Sequence, residues 1–252
     1  MVPESPRSTP GITQPSTQPQ AFEAHYAIFE GDKKVGESRV RLVPDNKNWR
    51  LTNTTRGTHG LASLLGFRRQ EETLFNWHLE PTEKQGWLPV AYQFSQKVAF
   101  KKKTRSFHYD HTSGLARGKS DGRQWMLNVH PPFISPNLVV LALAVDLCSG
   151  QQEMHYRVLD KGALKDYHFV VNGTDTESGL IKITKKHSRP DRITESWHDP
   201  KRQCLNVRSR HKEPGGDWLE TRLVSTSLRS PEEAETSPPL MKAAPASPTE
   251  QP

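Results

Sequence analysis

Hydrophobic and polar residues alternate along most of this chain with the period of a β-strand, in short runs separated by Gly, Asn, Asp and Pro. Residues 22–29 and 35–42 alternate on either side of Gly31-Asp32, which predicts a hairpin. Lys161-Gly162 separates two similar runs, and Asn172-Gly173 is a strong turn signal. The full set of predicted strands is 22–29, 35–42, 49–55, 68–75, 87–94, 97–110, 115–117, 124–129, 155–160, 164–171, 180–185, 191–197, 203–210 and 218–226.

One long apolar run interrupts this pattern at residues 135–148 and predicts a single helix over 137–148. Asn137 is in place to cap its start, and Gly150 stands where the helix should stop. A helix of this length is too short to cross a bilayer, which needs roughly 20 residues. We therefore predict a mainly β fold, an antiparallel meander that forms a curved half-barrel, barrel or sandwich, with this one helix packed against it.

The composition changes at both ends of the chain. Residues 1–20 and 231–252 are rich in Pro, Ser, Thr and Gln or Glu and hold few residues that a core would bury. We predict two disordered tails and one β-rich domain over 21–230. The net charge of the whole chain is +7, and the C-terminal tail is acidic, so the predicted domain is more basic than the chain. A basic domain favours phospholipid headgroups, anionic glycans or nucleic acid, or serves solubility alone.

Neither the two cysteines nor the first residues of the sequence identify the cellular compartment of the protein. Cys148 and Cys204 fit neither a C-x-x-C motif nor a zinc cluster, so they form one disulfide or stay as two thiols. Residues 1–5 lack the charged and apolar regions of a secretory leader. This fits a cytoplasmic protein, or an exported one whose leader is not in this sequence.

The order of several landmarks resembles a known family. They are the opening 22–26 with Gly31 and Gly36, the pair 87–92 and 107–110 around a basic strand, the helix 137–148, and the closing 192–200 with 215–218. Together they resemble domain of unknown function 3108, an uncharacterised bacterial envelope family, over about 21–226. The resemblance implies an exported, periplasmic protein with a curved antiparallel sheet similar to lipoprotein-carrier half-barrels. It brings no catalytic residues.

The aromatic and leucine positions predict an apolar groove. In a half-barrel closed by one helix, the concave face leaves room for an acyl chain or peptide. We expect Leu61, Leu64, Leu65 and Phe67 to form a flap over this groove. The lining would include Trp87, Tyr92 and Trp125. The competing interpretation is a filled aromatic core without a ligand.

A basic run on one strand, Lys101, Lys102, Lys103 and Arg105, lies between aromatic residues, as in platforms that bind single-stranded nucleic acid. Alternation would instead turn the rings inward and the cations outward, and edge lysines also prevent sheets from aggregating. We expect a solvated basic face and consider nucleic acid an unlikely partner.

Catalytic and metal signatures are weak. His108 and Asp110 share a face of one strand beside His111, but no second cluster offers a third ligand. Ser209 and Lys212 have the S-x-x-K spacing of acyl-enzymes, yet they lie on a strand rather than at a helix start. We predict no catalytic residues, no metal and no cofactor. If the chain is an enzyme, we expect its catalytic groups to come together in a cleft, and the candidates are Glu71, Glu72, Asp110 and His108.

From the sequence we therefore expect a non-enzymatic protein of the bacterial cell envelope, which binds a lipid, another amphiphile or an envelope protein. The alternatives are a hydrolase of an anionic envelope polymer and, third, a nucleic-acid-binding module. The ligand and the oligomeric state are open.

Limited proteolysis tests the domain boundaries. We expect a protease of broad specificity such as proteinase K to remove both tails and to leave a resistant core close to 21–230, because only that region has enough apolar surface to bury. Mass spectrometry of the fragments reads the boundaries directly. Digestion of the core as fast as the tails would contradict them.

Overall fold

A computed structural model of the 252-residue chain describes residues 19–77 and 87–230. Most of the first predicted tail and the whole of the second, 231–252, lie outside the described residues, as does the predicted loop at 81–86. Within the described residues, no helix is long and apolar enough to cross a membrane.

The described residues form fourteen strands and two α-helices, which confirms the predicted mainly β fold. The strands are β1 Phe22–Glu30, β2 Lys33–Asp45, β3 Asn48–Gly57, β4 Arg68–Trp77, β5 Trp87–Val98, β6 Lys101–Asp110, β7 Leu115–Ser120, β8 Arg123–Asn128, β9 Glu153–Asp160, β10 Ala163–Thr174, β11 Ile181–Lys186, β12 Ile193–Asp199, β13 Leu205–Lys212 and β14 Trp218–Thr226. The helices are α1 Gly60–Leu64 and α2 Val139–Cys148, and short 3-10 helices cover Pro136–Leu138 and Pro200–Arg202.

All fourteen strands belong to one curved, unclosed sheet in the order β8-β7-β6-β5-β4-β3-β2-β1-β14-β13-β12-β11-β10-β9. Successive strands pair as antiparallel hairpins in two arms, β1 to β8 and β9 to β14. The arms join where β1 pairs with β14, with Ala24 opposite Thr226 and Glu30 opposite Leu219. The first and last of the described strands thus lie side by side in the sheet interior.

The two edge strands, β8 and β9, approach each other across a gap that other residues fill. Ile134 pairs with β9 through hydrogen bonds of 2.9 Å, from its amide to the Arg157 carbonyl and from the Leu159 amide to its own carbonyl. Arg105 of β6 forms an ion pair with Asp160 at 3.1 Å. A Cβ on Gly162 would lie 2.8 Å from the Trp125 ring, so only glycine fits there. The sheet is therefore barrel-like without closed strand pairing.

Helix α2 crosses the concave side of the sheet and is fixed at both ends. At its start, the Ser135 hydroxyl accepts a hydrogen bond from the Leu138 amide at 3.4 Å, and contacts Thr73 Oγ1 at 2.8 Å. The predicted cap, Asn137, has a different role, because its side-chain amide donates to the Leu51 carbonyl at 3.0 Å. At its end, Gly150 takes a positive φ of 83° and stops the helix as predicted.

The far end of α2 is joined to β13 by a disulfide. Cys148 is the last residue of the helix and Cys204 precedes β13, with their Cα atoms 5.7 Å apart. The Tyr156 hydroxyl of β9 donates a further hydrogen bond to the Asp146 carboxylate. The structure thus resolves the alternative that the sequence left open, in favour of one disulfide.

Two hydrophobic clusters stabilise the sheet. The larger one packs α2 against both arms and includes Leu42, Leu51, Phe75, Tyr156 and Ile183. The smaller one lies under β5 to β8 and includes Tyr92, Phe107, Tyr109, Phe133 and Leu159. Because Leu159 belongs to β9, this second cluster also holds the two edges of the sheet together.

Removing the disulfide should destabilise the protein without changing its fold. The bond links residues 56 positions apart, and loops of this length give about 2–4 kcal/mol of stabilisation. We expect Cys148→Ser/Cys204→Ser to lose free energy of unfolding in this range, measured by urea titration. An unchanged midpoint under non-reducing conditions would mean that the bond does not form in the native protein.

Candidate functional site

The concave side of the sheet holds an open cavity of about 1100 Å³ between α2 and the strands of both arms. This volume is at the upper end of the roughly 300–1,000 Å³ typical of small-molecule sites. Its lining changes along the strands, because residues near α2 are mostly apolar, whereas the opposite end mixes polar side chains with apolar ones such as Val35, Phe67 and Leu219. We call that opposite end, where α1 lies, the rim.

The apolar half of the cavity is built around α2. The helix presents Val140, Leu143, Ala144 and Val145 to it, and Val140 and Val145 stay partly exposed although they belong to an apolar helix. The strands add Phe22, Val40, Leu42, Trp77, Trp87 and Phe169. Alternation places these side chains inward, so the sheet provides one wall and the helix the other. Such a surface suits a hydrocarbon chain.

The rim half of the cavity has many polar side chains in its lining, among the apolar ones. Ser38, Asn53 and Thr55 form one hydrogen-bonded group, with Ser38 Oγ donating to Asn53 Oδ1 at 2.9 Å and Thr55 Oγ1 donating to Ser38 at 3.2 Å. Across the cavity, the other arm contributes Lys185, Thr194, Ser196, His211 and Thr221. The cavity is therefore amphipathic along its length.

Lys185 is the unusual residue in this lining. Its ammonium lies 3.0 Å from the centre of the Tyr167 ring and 5.7 Å from that of Phe169, and no described carboxylate forms an ion pair with it. Burial, together with the nearby cations Arg192 and Lys165, lowers the pKa of Lys185 to about 8. The cation at this position is stabilised by aromatic rings alone, so it has capacity for an anionic partner.

The other inward cation near the rim, Arg69, is already neutralised. Its guanidinium donates to the Glu71 carboxylate, with Nε 2.7 Å from Oε1, and the Tyr92 hydroxyl donates to the same carboxylate at 2.9 Å. Arg69 also lies 5.3 Å from the centre of the Phe94 ring. Glu71 is buried, so this pair serves the structure and leaves Lys185 as the inward cation without a carboxylate partner among the described residues of this lining.

A chain of polar groups borders Lys185 on the second arm. Thr194 Oγ1 lies 2.9 Å from His187 Nε2 and 2.8 Å from His211 Nδ1, and His211 Nε2 lies 2.9 Å from Glu213. Burial lowers the pKa of His187 to about 4, and the neighbouring Lys185 charge adds to this effect. His187 is therefore neutral at pH 7 and adds no charge beside Lys185.

The structure divides the predicted groove residues among three places. Phe67 and Trp87 line the cavity, as does Ala62 of α1. Tyr92 and Trp125 instead belong to the second cluster and to a separate depression on β5 to β8. Leu61, Leu64 and Leu65 point away from the cavity into solvent. The predicted flap is thus a short helix at the rim, of which one side faces the cavity.

The four residues of the predicted basic face do not lie on one surface. Lys101, Lys102 and Lys103 are exposed at the start of β6. Arg105 turns toward the gap between the sheet edges, where it pairs with Asp160 and lies 4.6 Å from the centre of the Phe94 ring. Arg105 therefore belongs to the folded core, and the three lysines do not share its environment.

The candidate catalytic groups do not converge. Glu71 faces inward, whereas Glu72 faces outward and pairs with Arg50. Asp110 accepts hydrogen bonds from the Thr112 amide at 2.9 Å and the Ser113 hydroxyl at 2.6 Å in the turn after β6. Those contacts lower the pKa of Asp110. Ser209 and Lys212 lie on β13, without the helical geometry that their spacing requires.

One group of metal-binding side chains is found elsewhere in the described residues. Glu153, His155 and His168 lie on the outer face of β9 and β10, with their ligand atoms within 4.8 Å of one another. His168 Nε2 is hydrogen-bonded to Glu153, and the two imidazoles stack with centroids 4.1 Å apart. The sheet itself lies between this group and the cavity, which is on the inner face. The sequence offered no signal for it, because two strands must pair to assemble it.

A second set missed by the sequence is a ladder of cations and rings on the outer face of the second arm. Arg208 lies 4.6 Å from the Trp197 ring, Arg210 4.6 Å from the Trp218 ring and Arg222 4.5 Å from the Phe29 ring. Glu195 and Glu220 pair with these arginines. Each arginine of the ladder is paired with a glutamate, so the ladder stabilises the sheet through cross-strand contacts and does not offer free cations to nucleic acid.

Comparisons with known proteins place the fold but not the function. No family model matches the chain, and no curated protein matches it. A β-barrel-like protein of domain of unknown function 1849 from Brucella abortus matches over 83% of this chain and 98% of its own, with a TM-score of 0.53 and 11% identity. A putative lipoprotein from Parabacteroides distasonis matches over 83% of this chain and 96% of its own, with a TM-score of 0.28 and 8% identity.

The first of these similarities identifies a class of fold. This chain has the fold of an uncharacterised β-barrel-like protein, and the TM-score of the second comparison is too low to carry an argument. The more specific resemblance to domain of unknown function 3108 stays a prediction, because no family model supports it.

Replacing Lys185 by Met should stabilise the protein at pH 7. The folded-state pKa of about 8 lies below the ordinary 10.5, so burying the ammonium costs free energy wherever both states are protonated. We expect a gain of up to about 1 kcal/mol, reduced because the side chain keeps some solvent contact. Between pH 8 and 10.5, Lys185 is deprotonated in the folded wild type but still protonated in the unfolded chain, so the free energy of unfolding of the wild type rises with pH. The difference in stability between Lys185→Met and the wild type therefore becomes smaller.

Urea titrations at pH 7 and pH 10 measure this effect. Lys186→Met is the matched control, because Lys186 is the next residue on β11 and is exposed on the opposite face. A Lys185→Met protein that is less stable than the wild type at pH 7 would contradict the interpretation that burying the Lys185 ammonium costs free energy.

Proposed function

We propose that this protein is a non-enzymatic binder of anionic amphiphiles, which places the hydrocarbon chain against α2 and the anionic headgroup beside Lys185. The single observation that carries the proposal is a partly buried ammonium without a carboxylate partner at the polar end of an open apolar cavity. Soluble domains bury such a charge only at a cost, and an anionic ligand would offset that cost.

The shape of the cavity supports an amphiphile over a wholly apolar or wholly polar ligand. Its apolar half is continuous with α2, and polar side chains such as Ser38, Asn53 and Thr55 join the lining toward the rim. Each methylene buried against the apolar half contributes about 0.8 kcal/mol. The headgroup contact then selects charge rather than supplying most of the affinity.

The disulfide supports a place in the cell envelope for this protein. Cys148 and Cys204 are joined, and bonds of this kind persist in oxidising compartments such as the periplasm and are rare in the cytosol. The resemblance drawn from the sequence implies the same compartment. A periplasmic location is part of the proposal, together with a lipid or envelope component as the ligand.

Calorimetric titration with two detergents of equal chain length tests the proposal. We expect monomeric myristate to bind more tightly than tetradecyltrimethylammonium, and laurate to bind more weakly than myristate by roughly fourfold per missing methylene. Lys185→Met should remove most of the preference for the anion, whereas Lys186→Met should keep it. Equal affinity of the wild type for the two C14 headgroups, or no binding of either, would overturn it.

The pH dependence gives an independent check. Myristate stabilises the protonated form of Lys185, so its affinity should be constant between about pH 6, where the myristate carboxylate is ionised, and pH 8, and should fall as the pH rises above the unliganded pKa of about 8. The cationic detergent should show no such fall. A myristate affinity that is unchanged up to pH 10 would mean that the headgroup does not contact Lys185.

A further inference from the structure

The rim beside α1 carries an exposed apolar tip. Leu61 and Leu64 are 74% and 81% exposed, Leu65 is partly exposed, and Phe100 in the turn between β5 and β6 is fully exposed. The Ala99 amide donates to the Leu65 carbonyl at 2.6 Å, so the two loops form one surface. Four large apolar side chains that face solvent together indicate an interaction site rather than scattered surface residues.

The tip is held in place by the backbone. The Gly57 amide donates to the Phe67 carbonyl and the Phe67 amide to the Ala62 carbonyl, both at 2.9 Å. A Cβ on Gly57 would lie 2.5 Å from the Ala62 backbone, so glycine is required for this close packing. Leu61 and Leu64 are three residues apart and share a side of α1, while Ala62 and Phe67 face the cavity. The outward leucines are therefore a fixed feature of the rim.

A row of cations lies directly beside the tip. Strand pairing sets Arg56 opposite Arg68, Arg68 opposite Lys97, and Lys97 opposite Lys102. Directly paired residues share a face of the sheet, and Glu71 and Arg69 face inward, so Arg68 and its partners face outward. Arg56 pairs with Glu37 at 3.0 Å, whereas Arg68, Lys97 and Lys102 have no ion pair with a described carboxylate. Like charges aligned across neighbouring strands repel unless an anionic surface meets them.

We propose that this tip and cation row form a membrane-docking surface, which inserts the four apolar side chains among anionic phospholipids at the mouth of the cavity. The inference rests on the proposed function and adds where the ligand enters. Aliphatic side chains with flanking lysines and arginines match the interface of an anionic bilayer, in which the apolar tip enters the acyl boundary and the cations meet the headgroups. Phe100 is the one ring among the four tip side chains that could stack on a base, so nucleic acid fits less well than a bilayer.

Continuity with the cavity strengthens the choice of a bilayer. Ala62 and Phe67 line the cavity on the inner side of the same loop that carries Leu61 and Leu64 on its outer side. Acidic residues also lie at this end: Glu37 is paired with Arg56, Asp121 accepts a hydrogen bond from the Thr104 amide, and Glu30 and Asp32 lie on the other side of β2 from the row. An amphiphile leaving a bilayer at the tip would pass Ala62 and Phe67 as it enters the cavity.

Vesicle co-sedimentation of the full chain tests the proposal. We expect wild-type protein to bind vesicles of phosphatidylcholine with one quarter phosphatidylglycerol at least tenfold more tightly than pure phosphatidylcholine vesicles, and 1 M salt to remove most of this preference. Leu61→Ser/Leu64→Ser should weaken binding on the order of tenfold or more, because both side chains are exposed in solution and buried only in the bilayer. Lys97→Gln/Lys102→Gln should remove most of the preference for anionic vesicles.

Two controls match these variants. Val224→Ser removes an exposed apolar side chain toward the other end of β14, and Lys47→Gln/Arg229→Gln removes two exposed charges outside the row. Both should bind like the wild type. The tip variants should retain wild-type affinity for myristate, which separates docking from ligand binding. Wild-type protein that ignores vesicle charge, or tip variants that bind vesicles as well as the controls do, would falsify the docking surface while leaving the myristate result intact.

Discussion

The structure depends on covering the inner face of a sheet that is too wide to fill itself. Barrels of about eight strands are filled by their own side chains, whereas fourteen strands leave a wide interior even when the sheet is not closed. Helix α2 covers only the part of that interior near Leu51 and Phe75. Farther along the same strands, the inward positions become Ser, Asn and Thr, which tolerate water. The cavity is the part of the inner face of the sheet that the short helix α2 does not cover.

The two inward cations near the rim show how one interior treats charge in two ways. Arg69 has a buried carboxylate and a tyrosine hydroxyl, so its charge is matched within the protein. Lys185 has only aromatic faces and a lowered pKa. An apolar residue at this position would avoid the free-energy cost of burying the charge, and the proposed binding function rests on that cost.

Strand alternation predicted the meander and the apolar run predicted the helix, because both signals are local. The cavity lining depended on pairings that no local signal encodes. Lys185 and Lys186 are adjacent and equivalent in the sequence, and only the register of β11 decides which faces inward. Trp125 was expected in the groove with Trp87, yet it lies on the edge strand β8 near Gly162. The disulfide and the row from Arg56 to Lys102 likewise require distant strands to meet.

The pairing of β1 with β14 also has a consequence for how the chain is made. Ala24 and Thr226 are partners at opposite ends of the domain sequence, so the pairing that joins the two arms cannot form until the last strand has been synthesised. Until then β1 is an unpaired edge of the first arm, and contacts of such sequence separation form slowly. A nascent chain of this topology stays incomplete until β14 has left the ribosome, which gives an export apparatus time to engage it unfolded, or a chaperone time to shield it.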